Sequence, residues 1–472
     1  MLEGLEVSEV RLTEVVREEI GGRFDAEYFQ KEYLHEDSNL FKIGTDKLGN
    51  HAFITDGQHG YYESDINSNI FMLAARNCKN YFANKIDALP LAKWVDDKNK
   101  RSSLHCGDII LSTRGSVGCC AIVYNEVLPA NINQDVARIN LNNSNVFSPE
   151  FLITYLNCKY GQNWMVRNQS GMVQQGLPLD KVRAIPLPLL SSEFQKIIKT
   201  IIQKSYRKLV NSSCHYQEAE NILLSELLLK SFKPRNEIVS IKCFSDFASS
   251  GRLDAEYYQC KYDDIEEKIR SVSYKTIADL KTFNARGVQP DYISDGNIAV
   301  VNSKHILEDG LDYDNFEHTT EVFFSLNERG QIGYGDILIY TTGANIGRTQ
   351  VYLKHNLAMA SNHVNILRVK DVNPIYLALV LNSLIGRMQT EKFCTGSAQT
   401  EIYPNDIEKF IVPILNETIQ ETIAEKVQEC FAMKRESKQL LNIAKKAVEI
   451  AISENEGKAL AYIKVHNLSD TL

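Results

Sequence analysis

Apolar positions in this chain fall into two long stretches of helical period, each following a short strand-like segment that ends at proline. In the first, Phe194, Ile197, Ile198, Ile201, Ile202, Leu209, Val210, Tyr216, Ile222, Leu223 and Leu227 recur at three- and four-residue steps, one stripe of an α-helix. In the second, Ile419, Ile423, Val427, Cys430, Leu441, Ala444, Val448 and Ala451 do the same. Ser191 and Asn416 stand where N-caps belong, just after Pro186-Leu187-Pro188 and Val412-Pro413. Pro234 is predicted to close the first helix and Gly457 the second. A helix of about 40 residues is about 60 Å long, too long for its stripe to be covered by one small domain. The predicted partner of each helix is the other, in an antiparallel coiled coil. Its rod and subunit interface is expected to use Ile198, Ile202, Leu209, Leu223, Leu227, Ile423, Val427, Leu441 and Val448.

Outside the helices the pattern shortens. Ile109-Ile110-Leu111 and Ile337-Leu338-Ile339-Tyr340 read as strands that run into glycine turns. These two segments also belong to a larger self-similarity. Arg23-Phe24-Asp25-Ala26-Glu27-Tyr28 returns as Arg252-Leu253-Asp254-Ala255-Glu256-Tyr257, and Gly107-Asp108-Ile109-Ile110 as Gly335-Asp336-Ile337-Leu338. The turn Thr113-Arg114-Gly115-Ser116-Val117-Gly118 answers Thr342-Gly343-Ala344-Asn345-Ile346-Gly347, and Asn133-Gln134-Asp135-Val136 answers Ser361-Asn362-His363-Val364. Ser148-Pro149-Glu150-Phe151 corresponds to Asn373-Pro374-Ile375-Tyr376, and Ser170-Gly171-Met172-Val173-Gln174 to Thr395-Gly396-Ser397-Ala398-Gln399. Six collinear blocks at an offset drifting only from 229 to 225 indicate a duplicated module.

Composition adds bounds. A chain of 472 residues needs at least two cores. No run approaches the roughly 20 apolar residues of a membrane span, and the acidic N-terminal segment does not read as a signal peptide; a cytoplasmic protein is expected. The ten cysteines include no C-x-x-C pair, so reduced and mostly buried thiols are expected, with no metal. A net charge of −8 argues against a protein that coats DNA nonspecifically, while leaving room for local reading patches.

Several motifs imitate catalytic chemistry. Asn373-Pro374-Ile375-Tyr376 is one residue from an amino-methylase motif, but its counterpart at Ser148 lacks it, and both fit a capped helix start with proline at the first position. The glycine turns lack the Lys-Ser/Thr of a P-loop, so a tight turn is expected, with backbone N–H groups free to meet a phosphate. Asp25 and Glu27 are two apart and do not share a helix face; an Arg-Asp-Glu network tying each module to the rod is expected instead. His59, His105, His305 and His363 have no metal spacing. No catalytic site and no cofactor are expected.

In this order and in duplicate, the Arg-Phe/Leu-Asp-Ala-Glu-Tyr segments, the Gly-Asp-Ile-Ile/Leu segments with their glycine turns, and the glutamine-bearing stretches before Pro186 and Val412 resemble the specificity subunit of type I restriction-modification systems. The resemblance implies an α+β fold of two tandem β-rich target-recognition domains separated by long helices. It puts target-recognition domain 1 at residues 1–190, a central helix at 191–233, target-recognition domain 2 at 234–413, a distal helix at 414–456 and a tail at 457–472. It implies a noncatalytic subunit in which each domain reads half of a split, asymmetric site in double-stranded DNA. The helices would set the spacer and dock two methyltransferase (modification) subunits, which carry the chemistry; a restriction/translocase subunit is a further implied partner.

Base reading calls for Arg or Lys toward guanine and Asn or Gln toward adenine, on exposed loops. In the first module this nominates Gln58, His59, Arg76, Asn77, Arg114, Arg167, Gln174 and Gln175; in the second, Arg286, Gln289, Asn302, Lys304, Asn345, Lys392 and Gln399. For any one of them, an ordinary solvated polar residue is the competing reading. Two other functions compete with the whole: a coiled-coil scaffold that docks proteins without DNA, and a stand-alone enzyme, which the missing motifs disfavour.

Overall fold

The computed structural model describes residues 6–16, 24–60, 62–79, 81–142, 146–170, 176–235, 237, 239–308, 310–396 and 400–466. The chain forms two compact units, Met1–Leu209 with Arg435–Leu472, and Val210–Lys434. The first long helix, Ser192–Glu226, therefore gives its first half to unit 1 and its second half to unit 2; the second, Glu417–Ser453, does the reverse. Both predicted caps are present: Ser191 Oγ accepts from Phe194 N at 3.2 Å and Asn416 Oδ1 from Ile419 N at 3.0 Å.

Within each unit the half-helices run antiparallel. In unit 1 Ser205 Oγ lies 2.9 Å from Ser437 Oγ, and Lys208 2.6 Å from Glu436. In unit 2 His215 lies 3.0 Å from Glu429, and Lys426 2.6 Å from Glu218. Exposed ion pairs of this kind contribute little; burial does the work. Ile198, Ile202 and Val448 are fully buried in the core of unit 1, with Leu209 and Leu441 packed at its margin. Leu223, Leu227, Ile423 and Val427 are buried in the core of unit 2. Burying each such side chain is worth about 1.5–3 kcal/mol. The stripes pack on more than each other, because the same cores include the module helices Pro149–Asn157 and Pro374–Asn382.

Two helix ends differ from expectation. The first long helix stops at Glu226, short of Pro234, where Leu228 adopts φ +54. The expected tail is helical over Glu456–Val465, because Asn455 Oδ1 caps Lys458 N at 2.9 Å and Ala459 and Ile463 are buried.

Unit 1 contributes strands β1 (Ala52–Asp56), β2 (Phe71–Leu73), β3 (Tyr81–Phe82), β4 (Leu89–Pro90), β5 (Ile109–Ser112), β6 (Cys120–Ile122), β7 (Ala130–Ile132) and β8 (Val136–Leu141). They form one sheet in the order β1-β8-β5-β6-β3 and another in the order β4-β2-β7, with β2 and β7 parallel. Unit 2 contributes β9 (Lys281–Arg286), β10 (Ile298–Val301), β11 (Glu317–Thr319), β12 (Gln331–Ile332), β13 (Ile337–Tyr340), β14 (Thr349–Val351), β15 (Ala358–Ala360) and β16 (Val364–Val369). Their orders are β9-β16-β13-β14 and β11-β10-β15-β12, with β10 and β15 parallel. The fold class is α+β. Both units also pair a short strand with the segment before a long helix, Thr45–Lys47 with Pro186–Pro188 and Tyr274–Thr276 with Ile411–Pro413.

In each unit the two sheets cross where the first strand ends. Gln58 N donates to Ile132 O and Val288 N to Ala360 O, each at 3.2 Å. The residue just before must then lie against that carbonyl, and only glycine fits. A Cβ on Gly57 would stand 1.9 Å from Ile132 O, and one on Gly287 2.1 Å from Ala360 O. Gly60, by contrast, has φ +83 and open space around it. Gly57→Ala is therefore expected to lower stability by about 3 kcal/mol through overpacking, and Gly60→Ala by about 1 kcal/mol through left-handed strain. Urea unfolding of the two variants checks the order; equal losses would contradict the close-approach argument.

Candidate nucleic-acid interface

The Gly-Asp motif before β5 and before β13 is a clamp. Gly107 and Gly335 take φ +89 and +88, turning the chain so that the next carboxylate points inward. Asp108 is fully buried and accepts from His105 N at 2.8 Å, Arg138 Nε at 2.7 Å and Asn140 Nδ2 at 2.6 Å. Asp336 accepts from Gly333 N at 2.8 Å and Arg368 Nε at 2.9 Å. A buried carboxylate persists only when paired and hydrogen-bonded in this way. The motif thus fixes the middle of the sheet and holds the turns that follow.

Beyond the clamp, three loops meet in each unit. Thr113 N donates to Asp135 O at 2.8 Å, which binds the glycine turn to the turn between β7 and β8; Thr341 N does the same to His363 O at 3.2 Å. Leu177 N closes on Thr113 O at 2.9 Å, and Ile402 N on Thr341 O at 3.0 Å. A narrow hairpin base sits alongside. Ser170 and Gly176 exchange backbone bonds at 2.9 Å, as Thr395 and Glu401 do at 2.8 Å, and Arg114 and Thr342 bridge to them.

In unit 1 these loops surround an open polar cleft of about 300 Å³ lined by Asp56, Thr113, Arg114, Gln134, Ser170 and Gly176. Arg114 is half exposed, with Asp135 at 3.7 Å. At the rim Asp56 receives His59 Nε2 at 2.7 Å and Arg101 Nη1 at 3.2 Å. Burial acts to raise the Asp56 carboxyl, but the hydrogen bond and charge of His59, with the Arg101 guanidinium, outweigh it and hold the pKa below the ordinary value. The cleft therefore carries a carboxylate, a guanidinium and an amide side by side.

The nominated residues distribute unevenly around this geometry. Gln58, His59 and Arg114 lie on the loops just described; Gln58 Oε1 accepts from Asn99 Nδ2 at 2.8 Å, and His59 is 60% exposed. Arg76 is exposed, with Nη2 on Asp87 O at 2.7 Å. In unit 2 Gln289 and Lys304 are exposed, and Lys304 Nζ pairs with Glu317 at 2.7 Å. Asn302 bonds Glu317 and Tyr292, Asn345 is half-buried on the glycine turn, and Arg286 holds Ile402 O at 2.9 Å. Gln174, Gln175 and Gln399 lie outside the described residues.

Four nominations do not meet the exposed-loop expectation, among them Arg286, the last residue of strand β9 with a 20% exposed side chain. Asn77 is fully buried and spends its amide on Ala74 N at 3.0 Å and Ile86 O at 2.9 Å. Arg167 has a 7% exposed side chain that pairs with Asp37 at 2.6 Å and lies 3.9 Å over the Tyr28 ring. Lys392 is buried, paired with Glu266 and 5.0 Å from the Tyr257 ring. These two cations bind the end of one module helix to another helix of the same unit. The Arg-Asp network also differs from expectation: Arg252 forks onto Asp254 at 2.6 Å twice and reaches the carbonyls of Phe393 and Cys394, ending helix Leu384–Phe393 and not a long helix. Its counterpart Arg23 lies outside the described residues.

Asp56, Gln134, Thr342, Ser361 and Asn362 stand at the same loops without having been nominated; the Asn133-Gln134-Asp135 and Ser361-Asn362-His363 blocks marked the place of Gln134, Ser361 and Asn362, and nothing in the repeat marked Asp56. Among the described residues no group of three or more His, Cys, Asp and Glu could hold a metal ion, and no helix is long and apolar enough to cross a membrane.

Comparison with known proteins narrows the chemistry. Residues 29–215 match the family model of the type I restriction modification DNA specificity domain. A 149-residue stretch is 29% identical to the type I restriction enzyme EcoBI specificity subunit of Escherichia coli; it covers 30% of this chain and 30% of that protein, so the match spans under a third of the relative's length. Among solved structures, the type I restriction-modification S subunit from M. genitalium superposes over 88% of this chain and 95% of its own, at 11% identity and a TM-score of 0.42. The HsdS subunit from Thermoanaerobacter tengcongensis superposes over 87% and 97%, at 14% identity and a TM-score of 0.28. Scores this low do not assign the fold.

Arg167 and Arg114 separate the two roles a basic residue can have here. Arg167→Ala is expected to cost about 1–3 kcal/mol of stability, because a charge-assisted bond to half-exposed Asp37 and a packed contact with the Tyr28 ring are lost. Arg114→Ala should stay within about 0.5 kcal/mol. Thermal unfolding decides: an Arg114 variant as unstable as the Arg167 variant would place Arg114 among the structural residues.

Proposed function

We propose that this chain, whose residues 29–215 belong to the type I restriction modification DNA specificity domains, is the noncatalytic subunit that gives a type I restriction-modification complex its sequence specificity. The observation that carries the reading is the cluster of three loops at the sheet crossing, built with the same backbone bonds in both units but edged with different polar side chains. Each unit reads one half of a bipartite, asymmetric site in double-stranded DNA. Such a design needs two supports of one architecture and two unlike reading edges, and it needs no catalytic residue of its own. Methylation and cleavage fall to partner subunits.

The shared strand orders, β1-β8-β5-β6 with β9-β16-β13-β14 and β4-β2-β7 with β11-β10-β15, support an origin of the two units as tandem repeats, although β3 and β12 have no counterpart in them. The long helices, whose halves run antiparallel within each unit, pair as a coiled coil that sets the spacer between half-sites and docks two modification subunits; a restriction/translocase subunit completes the complex. Partners also supply much of the phosphate contact, which accommodates a net charge of −8. Arg76, Gln289 and Lys304, exposed on the loops of the second sheets, flank the duplex.

Methylation by the chain assembled with its modification partner should be abolished by scrambling either half-site and spared by scrambling the spacer. Methylation indifferent to both half-sites would sink the reading. A second experiment addresses the helices. Inserting seven residues both at 209/210 and at 434/435 lengthens the paired helices by about 10 Å at 1.5 Å per residue. The preferred spacer should grow by about three base pairs at 3.4 Å each, with the half-sites unchanged. A spacer preference that stays put would refute the ruler role.

A further inference from the structure

We infer that the side chains at three matching positions around the sheet crossing decide which bases each unit reads, and that unit 1 reads a guanine there with Arg114 where unit 2 does not. The inference rests on the DNA-reading role proposed above and names residues for it.

The three positions are matched by backbone bonds. Asp56 and Arg286 are the last residues of β1 and β9, opposite Ala137 and Asn365, and each is followed by the glycine that meets a carbonyl of the second sheet. Backbone bonds match Arg114 to Thr342, one position before the Gly343 that the sequence blocks set opposite it: both follow the threonines, Thr113 and Thr341, that tie the glycine turn to the β7–β8 and β15–β16 turns, and they bridge to Gly176 and Glu401. Gln134 and Asn362 precede the residues whose carbonyls those threonines bind. Unit 1 thus presents Asp, Arg and Gln where unit 2 presents Arg, Thr and Asn.

Hydrogen bonding at these positions is incomplete in a way that points to a ligand. Gln134 Oε1 in unit 1, and Arg286 Nε, Thr342 Oγ1 and Asn362 Oδ1 in unit 2, are shielded polar atoms that find no protein partner; Ser361 Oγ and Asn365 Oδ1 beside them are in the same condition. Shielded polar atoms in folded proteins are nearly all paired, so the five in unit 2, with Gln134 Oε1 at the matching place in unit 1, mark that place for an outside donor and acceptor set.

The charge pattern says which part of DNA comes there. Arg114 is paired with Asp135 and Arg101 with Asp56, so the charges around the cleft balance and give it no net pull on a phosphate. A base edge, neutral and carrying donors as well as acceptors, suits the mixture. The Arg114 fork matches guanine O6 and N7, and the Gln134 amide matches adenine N6 and N7. In unit 2 the glycine turn carries Thr342 in place of a guanidinium, and Arg286 is drawn back by Ile402 O at 2.9 Å, Glu401 at 3.4 Å and the Tyr403 ring at 4.7 Å. Gly176, which has no side chain, lines the first cleft at the position where unit 2 carries Glu401. What remains in unit 2 is a hydroxyl and the Asn362 amide, an adenine reader.

The test uses the full chain assembled with its methylating partner and a duplex library randomised across both half-sites, with the methylated fraction sequenced. The unaltered chain should select a split site with a guanine in one half. Arg114→Thr should weaken that guanine preference about tenfold to a hundredfold at a single position; Gln134→Ala should relax a neighbouring base of the same half; both should leave the other half intact. Thr342→Arg, which places a guanidinium at the buried position that matches Arg114, should move one position of the other half toward guanine, and a melting temperature reports that each variant folds. If the unaltered chain selects a split site and all three variants select it unchanged, or weaken all sequences evenly as lost phosphate contacts do, the inference is overturned while the specificity role stands. If the unaltered chain selects no sequence, the specificity role falls and the inference falls with it.

Discussion

Both units depend on burying a helical stripe that neither strand-rich module could cover without the long helices. In unit 1 the half-helix residues Phe194, Ile198, Ile201 and Ile202 share a core with Ala444, Val448 and Ala451 and with Phe151, Ile153 and Leu156 of a module helix. In unit 2 Leu223 and Leu227 share a core with Ile423 and Val427 and with Tyr376 and Val380. At about 1.5–3 kcal/mol for each buried side chain, this shared core outweighs every exposed ion pair along the helices. Each module helix is therefore anchored to the long helices by packing, and the sheets are built outward from that anchor.

Outward from the anchor, the polar interactions are few and placed where a strand must turn. The Asp108 and Asp336 carboxylates sit under the glycine turns and take their bonds from arginines on the central strands. The Gly57 and Gly287 approaches let two sheets cross without a side chain between them. Together they hold three loops side by side at one end of each unit. Conformational freedom is removed from the supports, so the reading side chains can differ between units without altering the backbone beneath them. A pair of unlike half-sites is then a matter of side-chain identity on a common scaffold, which is the physical content of the specificity role proposed here.

Much of this was legible in the residues. The three- and four-residue spacing of apolar positions located both long helices, and Ser191 and Asn416 located their starts, because capping and amphipathicity are local. Proline after Ser148 and after Asn373 marked helix starts and removed a methylase-like motif from consideration; Ser148 Oγ and Asn373 Oδ1 do cap those helices. The ends were less legible. Asn455 restarts a helix at Glu456 where a tail was expected, because its side chain supplies the cap and Ile463 finds a core that lies far away in sequence. Asn77, Arg167 and Lys392 carried the right chemistry for DNA but are turned inward by partners such as Ile86, Asp37 and Glu266, which sequence spacing does not bring together.

By itself the sequence determined the helices, the six collinear blocks, the glycine turns and the absence of a recognised catalytic motif, since each of these depends on neighbours along the chain. Tertiary structure decided which polar residues are supports and which stand at an edge. Arg114 and Arg167 are indistinguishable as letters; one stands half exposed on a glycine turn and the other is turned inward against Tyr28 and paired with Asp37. Gln134 and Asn362 became candidates only when the crossing of two sheets set them beside Arg114 and Thr342. Long-range strand pairing made that juxtaposition, and no local preference encodes it.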